Sequence, residues 1–407
     1  MQLHEVCELI VDCEHKTAPT QETGCPSIRT PNIGRGRLIL DIVNRVSEEV
    51  YREWTKRAVP QNNDLILARE APAGNIAIIK NNIKVCLGQR TVLIRPNKKI
   101  INADYLMYLL LDSKMQHRLL SYGSGATVPH INMADIRKLP LPDLPDMLTQ
   151  NKIVSILSAY DDLTENNSRH IKILEEMAQA IYQEWFVKFK FPGHEKVRMV
   201  DSPLGKILEG WSITRLGKLC NKINEKYNEQ KHSELPLLDL ARIPRKSLNV
   251  LSYGKSGELK ISRIIFKKGD ILFGAIRPYF HKVIFVPQDG VTNTSVFVIR
   301  ANDSIMQNYL FSLLFTDYTV KWATTHSGGT KMPVIPWDVF SKMKVLLPSS
   351  RILEQFNTAV KPMFEHITIL NHKNQILSKS RDILLPKLIS GEIDVEDLDI
   401  NVGELAK

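Results

Sequence analysis

Asn63-Asp64-Leu65-Ile66-Leu67-Ala68-Arg69, followed by Pro72, has a counterpart far along the chain in Gly269-Asp270-Ile271-Leu272-Phe273-Gly274-Ala275, followed by Pro278. Each leads into a second apolar, β-branched stretch, Ile76 to Ile79 and Val283 to Val286, so each reads as strand, turn, strand. A third strand-like run follows in both, Thr91-Val92-Leu93-Ile94-Arg95 and Ser295-Val296-Phe297-Val298-Ile299-Arg300, and then a short helix opening at Tyr105-Leu106 or Tyr309-Leu310. Order and spacing agree throughout. The chain is therefore a long, divergent internal duplication of one mixed α/β unit.

Beyond that helix the copies stay in step. Ser124-Gly125-Ala126-Thr127 with Pro129 corresponds to Ser327-Gly328-Gly329-Thr330 with Pro333, and the two lead to Pro140-Leu141-Pro142 and Leu346-Leu347-Pro348. Both copies then enter a long helical segment. In the first, Ile153, Leu157, Tyr160, Thr164, Asn167, Ile171, Leu174, Ala178, Ile181 and Trp185 alternate steps of four and three. In the second, Phe356, Val360, Met363, Ile367, Leu370, Asn374, Leu377, Arg381, Leu384 and Leu388 do the same. That alternation is the a/d seam of a coiled coil, and an antiparallel pair would bury both stripes. Each seam carries one asparagine, and a buried Asn at such a position fixes register at a cost in stability, so Asn167 and Asn374 are assigned a pairing role. Pro362 removes a hydrogen bond and crowds the preceding turn, which predicts a kink or a late start in the second helix.

The expected fold class is α/β of the α+β kind: two pseudo-repeated mixed α/β globular domains joined by an antiparallel two-helix coiled-coil stalk. The expected segments are a first domain at 1–147, a first long helix at 148–195, a second domain at 196–350, and a second long helix with an acidic tail at 351–407. The stalk packs through Ile153, Leu157, Asn167, Ile171 and Leu174 on one helix and Ile367, Leu370, Asn374 and Leu377 on the other.

The 407 residues, 43% hydrophobic and 24% charged with 20 Gly and 21 Pro, exclude disordered, collagenous and purely coiled-coil classes. The 54 basic and 44 acidic residues leave +10 overall, distributed as +3 over 1–147, 0 over 148–200, +9 over 201–350 and −2 over 351–407. Positive charge thus lies on the two globular units and not on the helices. Two nucleic-acid-reading heads on a protein-binding stalk have this profile, because neutralising phosphates supplies much of the affinity for a duplex. The five cysteines, Cys7, Cys13, Cys25, Cys86 and Cys220, contain no Cys-x-x-Cys pair and fit a reducing, cytoplasmic setting better than a disulfide framework. Glu5, Glu8 and Asp12 break up any leader, and the longest apolar run, Tyr105 to Leu111, is seven residues against the roughly 20 of a membrane span, so neither secretion nor a membrane is expected.

Motifs for chemistry are missing. There is no G-x-x-x-x-G-K-[ST] loop, no G-x-S-x-G elbow, no H-E-x-x-H pair, and no Gly-rich loop with an Asn/Asp-Pro-Pro-aromatic tetrapeptide of the kind a DNA methyltransferase carries. Asp112-Ser113-Lys114 and Glu229-Gln230-Lys231 have the acid-x-Lys form of a nuclease without the preceding acidic partner. His4, Cys7, Cys13, His15 and Cys25 match no zinc-ligand spacing, so no metal is assigned. The Ser-Gly-[AG]-Thr loops remain, since small residues let backbone N–H groups approach phosphate. Ser124, Thr127, Ser327 and Thr330 are therefore candidate DNA contacts, with Arg69, Arg277 and Lys331 near the turns.

The whole arrangement resembles the specificity subunit of type I restriction-modification systems. Asp12-Cys13-Glu14-His15-Lys16, Gly24-Cys25-Pro26-Ser27-Ile28 and Asn32-Ile33 are similar to the opening of that family's target-recognition domain. Asn63-Asp64-Leu65-Ile66, the stretch from Ser124 to Pro142, Leu208-Glu209-Gly210-Trp211, Glu354-Gln355 and Leu388-Ile389-Ser390-Gly391-Glu392-Ile393 resemble its recurrent segments. The first unit lacks the Gly-Trp lead-in of the second, and the family's circular pseudo-twofold makes the C-terminal tail the candidate to complete its leading edge. The resemblance adds His15 and Lys16 to the candidate DNA contacts. It implies a chain that recognises double-stranded DNA at an asymmetric bipartite site and catalyses nothing. Two methylation subunits would carry S-adenosylmethionine, and restriction/translocase subunits would carry ATP and Mg. The alternatives are a DNA-modifying enzyme with an active site outside known motifs, or the recognition subunit of a type II-like methylase/nuclease.

Overall fold

The computed structural model describes residues 1–41, 43–70, 72–123, 130–203, 205–230, 232–259 and 261–402. The chain divides into two compact units: unit 1 holds Met1–Asp161 and the described part of Lys379–Lys407, and unit 2 holds Asp162–Ser378. Each long helix is thus shared between the units.

Unit 1 contains β1 (Cys7–Asp12), β2 (Cys25–Ile28), β3 (Asn44–Val46), α1 (Glu48–Trp54), β4 (Leu65–Ala68), β5 (Ile76–Ile78), β6 (Cys86–Leu87), β7 (Thr91–Pro96), α2 (Ala103–Leu111), α3 (Ser113–Ser121), α4 (Met133–Arg137) and the start of α5 (Met147–Tyr182). Its main sheet is antiparallel in the order β1-β7-β4-β5, and a smaller sheet, β3-β2-β6, pairs β2 with β6 in parallel. The apolar run Tyr105–Leu111 forms α2 and is buried at every residue against Leu65, Leu67, Ile76, Val92 and Ile94. A segment buried all round belongs in a core.

Unit 2 repeats the plan. It adds β8 (Met199–Ser202), β9 (Gly205–Leu208), β10 (Ser212–Arg215), α6 (Leu216–Leu219), β11 (Cys220–Ile223), β12 (Pro236–Leu237), β13 (Gly254–Lys255), β14 (Arg263–Phe266), β15 (Ile271–Gly274), β16 (Val283–Phe285), β17 (Gly290–Asn293), β18 (Val296–Ala301), α7 (Gln307–Leu314), α8 (Asp317–Thr325), α9 (Trp337–Phe340), β19 (Lys344–Leu347) and α10 (Ser350–Ile389). The antiparallel sheet β11-β18-β15-β16 matches that of unit 1 strand for strand, and β13-β12-β17-β14 again contains one parallel pair, β12 with β17.

The duplicated aspartate has a structural task. Asp64 is 1% exposed and accepts the Gln61 N–H at 2.8 Å while Arg95 grips it through Nε and one terminal nitrogen at 2.8 and 2.7 Å. Asp270, 2% exposed, accepts the Lys267 N–H at 2.8 Å and is held by Arg300 at 2.7 and 2.8 Å. In both units the residue before the aspartate has positive φ, Asn63 at 70° and Gly269 at 88°, conformations that Asn tolerates and Gly adopts freely.

The long helices pack together, as two antiparallel segments in each unit. In unit 1, Leu157 shares a core with Leu385 and Leu388, and Arg381 at a seam position pairs with Asp161 at 2.5 Å while the Tyr108 hydroxyl donates to the same carboxylate at 2.6 Å. In unit 2, Asn167 Nδ2 donates to Asn374 Oδ1 at 2.9 Å, Ile171, Ile367 and Leu370 are buried, and Leu174 and Leu377 are partly buried. Further along, Tyr182, Phe186, Tyr309 and Phe356 form one aromatic cluster with ring centroids 4.8 to 6.4 Å apart. Ile153 is buried in unit 1.

The second long helix begins at Ser350 and stays helical through Pro362, so the late start that this proline suggested does not occur. Pro362 lies on the exposed side, where the carbonyl it leaves unbonded faces solvent instead of core. The leading edge of unit 1 is completed by its own first residues, through a Gln2 to Pro140 bridge and the Leu3 N–H to Leu139 carbonyl bond at 2.9 Å. The tail instead covers the start of α5: Val395 is buried, Lys152 Nζ donates to the Glu396 carbonyl at 2.5 Å, and the Ser155 hydroxyl donates to the Asn401 carbonyl at 2.9 Å. Among the described residues the cysteines are unpaired, and no helix is long and apolar enough to cross a membrane.

A strap in unit 2 ties the loop at 247–250 to the helices. Glu175, 7% exposed, accepts the Leu248 N–H and, at 3.1 Å, the Ser247 hydroxyl, while Asn371 accepts the Val250 N–H at 2.7 Å and donates to the Leu248 carbonyl at 2.9 Å. Burial pushes the Glu175 carboxyl up to about 7. A raised carboxyl favours the folded state below its unfolded range and loses that contribution as pH climbs through the folded value. Replacing Glu175 by Gln is therefore expected to leave stability near wild type at pH 5 and to raise it at pH 8. The difference is on the order of 3 kcal/mol, read as the pH dependence of Tm for both proteins. Asp64→Ala is expected to cost about 3 kcal/mol in urea unfolding. Asp270→Ala should cost less, because Arg300 is 42% exposed against 20% for Arg95 and can turn to water.

Candidate nucleic-acid interface

The turn joining the two paired strands of the repeat carries candidate residues in both units, and the two turns are chemically unlike. In unit 1, after β4, Arg69 is 7% exposed yet charged. One of its terminal nitrogens donates to His130 Nε2 at 2.5 Å, and the other lies 3.9 Å from Asp12. Because arginine only donates, the His130 Nε2 lone pair faces it and the ring proton lies on Nδ1, which donates to Glu70 at 2.7 Å. Glu70 in turn holds Arg90 through Nε at 3.1 Å. On the other side Asp12 binds Arg57 at 2.5 Å and His15 at 2.9 Å, and Arg57 also reaches Glu14 at 3.2 Å. His15, Arg69, Glu70, Gln89 and Arg90 line a polar cavity of about 230 Å³.

Of the residues singled out from sequence, the structure thus brings His15 and Arg69 together. Lys16 is exposed beside them. Ser124 and Thr127 lie outside the described residues. No spacing rule collects Glu70, Arg90 and His130, since their partnership comes from three separate loops; the one signal in the sequence is that they differ from their counterparts in the other copy.

In unit 2, Arg277 and His281 have positive φ, 49° and 53°, and flank the single turn Pro278–Phe280. A left-handed conformation costs a non-glycine residue roughly 1 kcal/mol, and here two occur within five residues. Arg277 donates to the Lys331 carbonyl at 3.1 Å, and its own N–H donates to the Pro333 carbonyl at 2.7 Å, which joins the strand turn to the Ser327–Thr330 loop. Arg245 lies over the Phe280 ring at 4.2 Å and Arg277 at 5.9 Å, while Tyr279 is half exposed. Ser327 caps the preceding helix by donating to the Ala323 carbonyl at 2.8 Å, and Thr330 and Lys331 are exposed. No carboxylate among the described residues pairs with Arg245, Arg277 or Lys331 within 4.0 Å. His281 donates toward the Phe315 carbonyl at 2.9 Å and lies 3.3 Å from Asp317, yet burial lowers its basicity below that of an ordinary histidine.

No three His, Cys, Asp or Glu side chains among the described residues are arranged to hold a metal ion. Unit 1 offers oriented guanidinium groups, and unit 2 offers guanidinium groups beside exposed aromatic surface. Such groups bind phosphate and read base edges.

Comparison with known proteins places this duplicated fold. The chain matches the type I restriction modification DNA specificity domain over residues 1–176 and again over 208–379. It belongs to that family and is a type I specificity subunit, a non-catalytic component. It is 28% identical over 373 residues to the type I restriction enzyme MjaIX specificity subunit of Methanocaldococcus jannaschii, covering 87% of this chain and 82% of that one. It is 24% identical over 412 residues to the type I restriction enzyme HindI specificity subunit of Haemophilus influenzae, covering 83% and 88%. Its fold is similar to the crystal structure of the type I restriction-modification S subunit from M. genitalium, with a TM-score of 0.55 at 14% identity over 95% of each chain.

The strain at Arg277 gives a test. Arg277→Gly removes a left-handed side chain together with its guanidinium, so thermal stability is expected to stay within about 1 kcal/mol of wild type or to rise. DNA affinity of the chain in complex with its partners is expected to fall at least tenfold, measured by fluorescence anisotropy. A variant that loses stability and keeps affinity would assign Arg277 to the fold alone.

Proposed function

We propose that unit 1 and unit 2 each read one part of an asymmetric, bipartite double-stranded DNA target, within a type I complex whose other subunits do the chemistry. The observation that carries this reading is the contrast between an unchanged frame and changed tips. Asp64 with Arg95 and Asp270 with Arg300 repeat one geometry, while the turns above them present different side chains. Two equivalent scaffolds with different tips read two different sequences, whereas a homodimer would read a palindrome. His15, Lys16, Arg69, Ser124 and Thr127 serve the first part, and Arg277, Ser327, Thr330 and Lys331 the second, with exposed Lys331 on phosphate.

The stalk residues Ile153, Leu157, Asn167, Ile171, Leu174, Ile367, Leu370, Asn374 and Leu377 hold the helices in register. The opposite flanks carry Leu163, Ile173 and Met177 on α5 and Ile369, Ile376 and Ile383 on α10, each about half exposed. The three isoleucines recur every seven residues, the repeat of a further helix-packing stripe. Two methylation subunits dock on these flanks, and restriction/translocase subunits join the complex. S-adenosylmethionine, ATP and Mg are held by those partners, in the cytoplasm where the DNA is.

The test is the methylome of a host carrying the complete system. A bipartite motif with two dissimilar parts is expected. Deleting seven residues from α5 and seven from α10 is expected to shorten the unspecified spacer and leave both parts unchanged, while exchanging unit 2 for that of a relative changes one part alone. A continuous palindromic motif would refute the assignment.

A further inference from the structure

The charged network of unit 1 has no counterpart in unit 2, although the backbone that carries it does. The Arg69 N–H donates to the Arg90 carbonyl and the Ile131 N–H to the Arg69 carbonyl, at 3.0 and 3.2 Å. In unit 2 the Ala275 N–H donates to the Ser295 carbonyl and the Ile335 N–H to the Ala275 carbonyl, at 2.9 and 3.0 Å. This register matches Arg69, Glu70, Arg90 and His130 to Ala275, Ile276, Ser295 and Val334. The same loops close in unit 2 with small or apolar side chains. The fold therefore does not require the network, and half-burying four polar side chains, two of them arginines, is a cost that something else must justify.

The geometry points to that use. Arg90 sits at φ 68° in the turn between β6 and β7, with its side chain 53% exposed. Glu70 occupies its Nε, and no described residue takes its two terminal nitrogens, so the planar fork is aimed outward by a carboxylate behind it. Glu70 is itself fixed by the His130 Nδ1–H, and His130 by Arg69, whose own Nε is buried without a partner among the described residues. Each member of the row is held by the next. Within the ion-paired row itself the charges compensate: Arg57, Arg69 and Arg90 stand against Asp12, Glu14 and Glu70. A phosphate gains little from such a site, because Glu70 opposes it at close range. A base edge is neutral and gains from orientation, and the outward fork of an arginine matches the O6 and N7 acceptors of guanine in the major groove.

We propose that Arg90 reads a guanine in the part of the target bound by unit 1, with Glu70 and His130 as positioning residues. This rests on the DNA-reading assignment above and adds the base and the side chain. Arg90→Asn keeps the left-handed turn, which asparagine tolerates, and removes the fork. Arg90→Lys keeps the charge and loses the bidentate geometry. Each variant is assembled with the methylation subunits, and binding is measured by anisotropy on the methylome-derived target, on unrelated duplex, and on targets in which single guanines are replaced by 7-deazaguanine.

Wild type is expected to lose about tenfold or more on deaza substitution at one guanine of the unit 1 part, and Arg90→Asn to lose as much on the natural target while becoming indifferent to that substitution. Arg90→Lys should not restore discrimination. Glu70→Gln, which keeps a hydrogen-bonding group but releases the ion pair, should fall between. A unit 1 part without guanine overturns the proposal. So does a loss spread equally over target and unrelated DNA with a flatter salt dependence, which would put Arg90 on phosphate, and so does unchanged discrimination in Arg90→Asn. A wild-type complex that binds all duplexes alike would overturn the DNA-reading assignment itself, and the proposal with it.

Discussion

A buried carboxylate beneath the strand turn is the constraint on which each unit is built. Asp64 and Asp270 are almost wholly withdrawn from water, and such a charge is tolerated only when its oxygens are filled. They are filled from two directions: by the backbone N–H of the residue three positions earlier, which closes the approach to the strand, and by an arginine at the far end of the neighbouring strand. One side chain thus fixes the base of the hairpin, the start of the central strand and the register of its neighbour. With the base fixed, the far end of the hairpin is free to vary. Arg69, Glu70 and the charged row of unit 1 occupy the same scaffold as the strained Arg277 to His281 turn of unit 2.

The helices follow a related logic with a different residue set. An apolar seam alone does not distinguish one heptad register from the next, because leucine meets leucine after every slip of seven. Asn167 with Asn374, and Arg381 with Asp161 and Tyr108, are satisfied in one register only. A shift of one heptad would leave an amide or a guanidinium facing apolar side chains. Glu175 and Asn371 extend this to the loop at 247–250, whose backbone groups they satisfy from the helix side. These polar groups are partly or fully buried and weaken the core locally, and in return they allow one arrangement.

What the linear sequence disclosed follows from the range of the interactions. The duplicated strand pairs and the seams have local periods, and the two asparagines stand out because they interrupt such a period. Pro362 is legible only in part, because its effect depends on which side of the helix it occupies, and it lies outside the heptad seam. Arg381 is a charged residue at a seam position, and only the fold brings Asp161 to it from 220 positions away. The tip of unit 1 was the least legible. Asp12 at the end of β1 and Arg57, Glu70, Arg90 and His130 from separate loops are far apart in sequence, and no spacing rule collects them. Pairing the two copies residue by residue would have flagged the region, because Glu70, Arg90 and His130 stand where the other copy has Ile276, Ser295 and Val334.

The excess charge is also uneven, +3 over 1–147 and +9 over 201–350, and the tips differ in the same direction. In unit 1 the arginines of the tip are neutralised by carboxylates that also set their direction. In unit 2, Arg245, Arg277 and Lys331 have no such partners among the described residues and lie against aromatic rings and carbonyls. A balanced tip is weak as a long-range attractor and strong in directional discrimination, whereas an unbalanced tip attracts polyanions at a distance and discriminates through contact and shape. On the proposed reading the two units divide the work of recognition: the second supplies most of the salt-sensitive attraction, and the first contributes an internally compensated reader whose value lies in where its hydrogen bonds point.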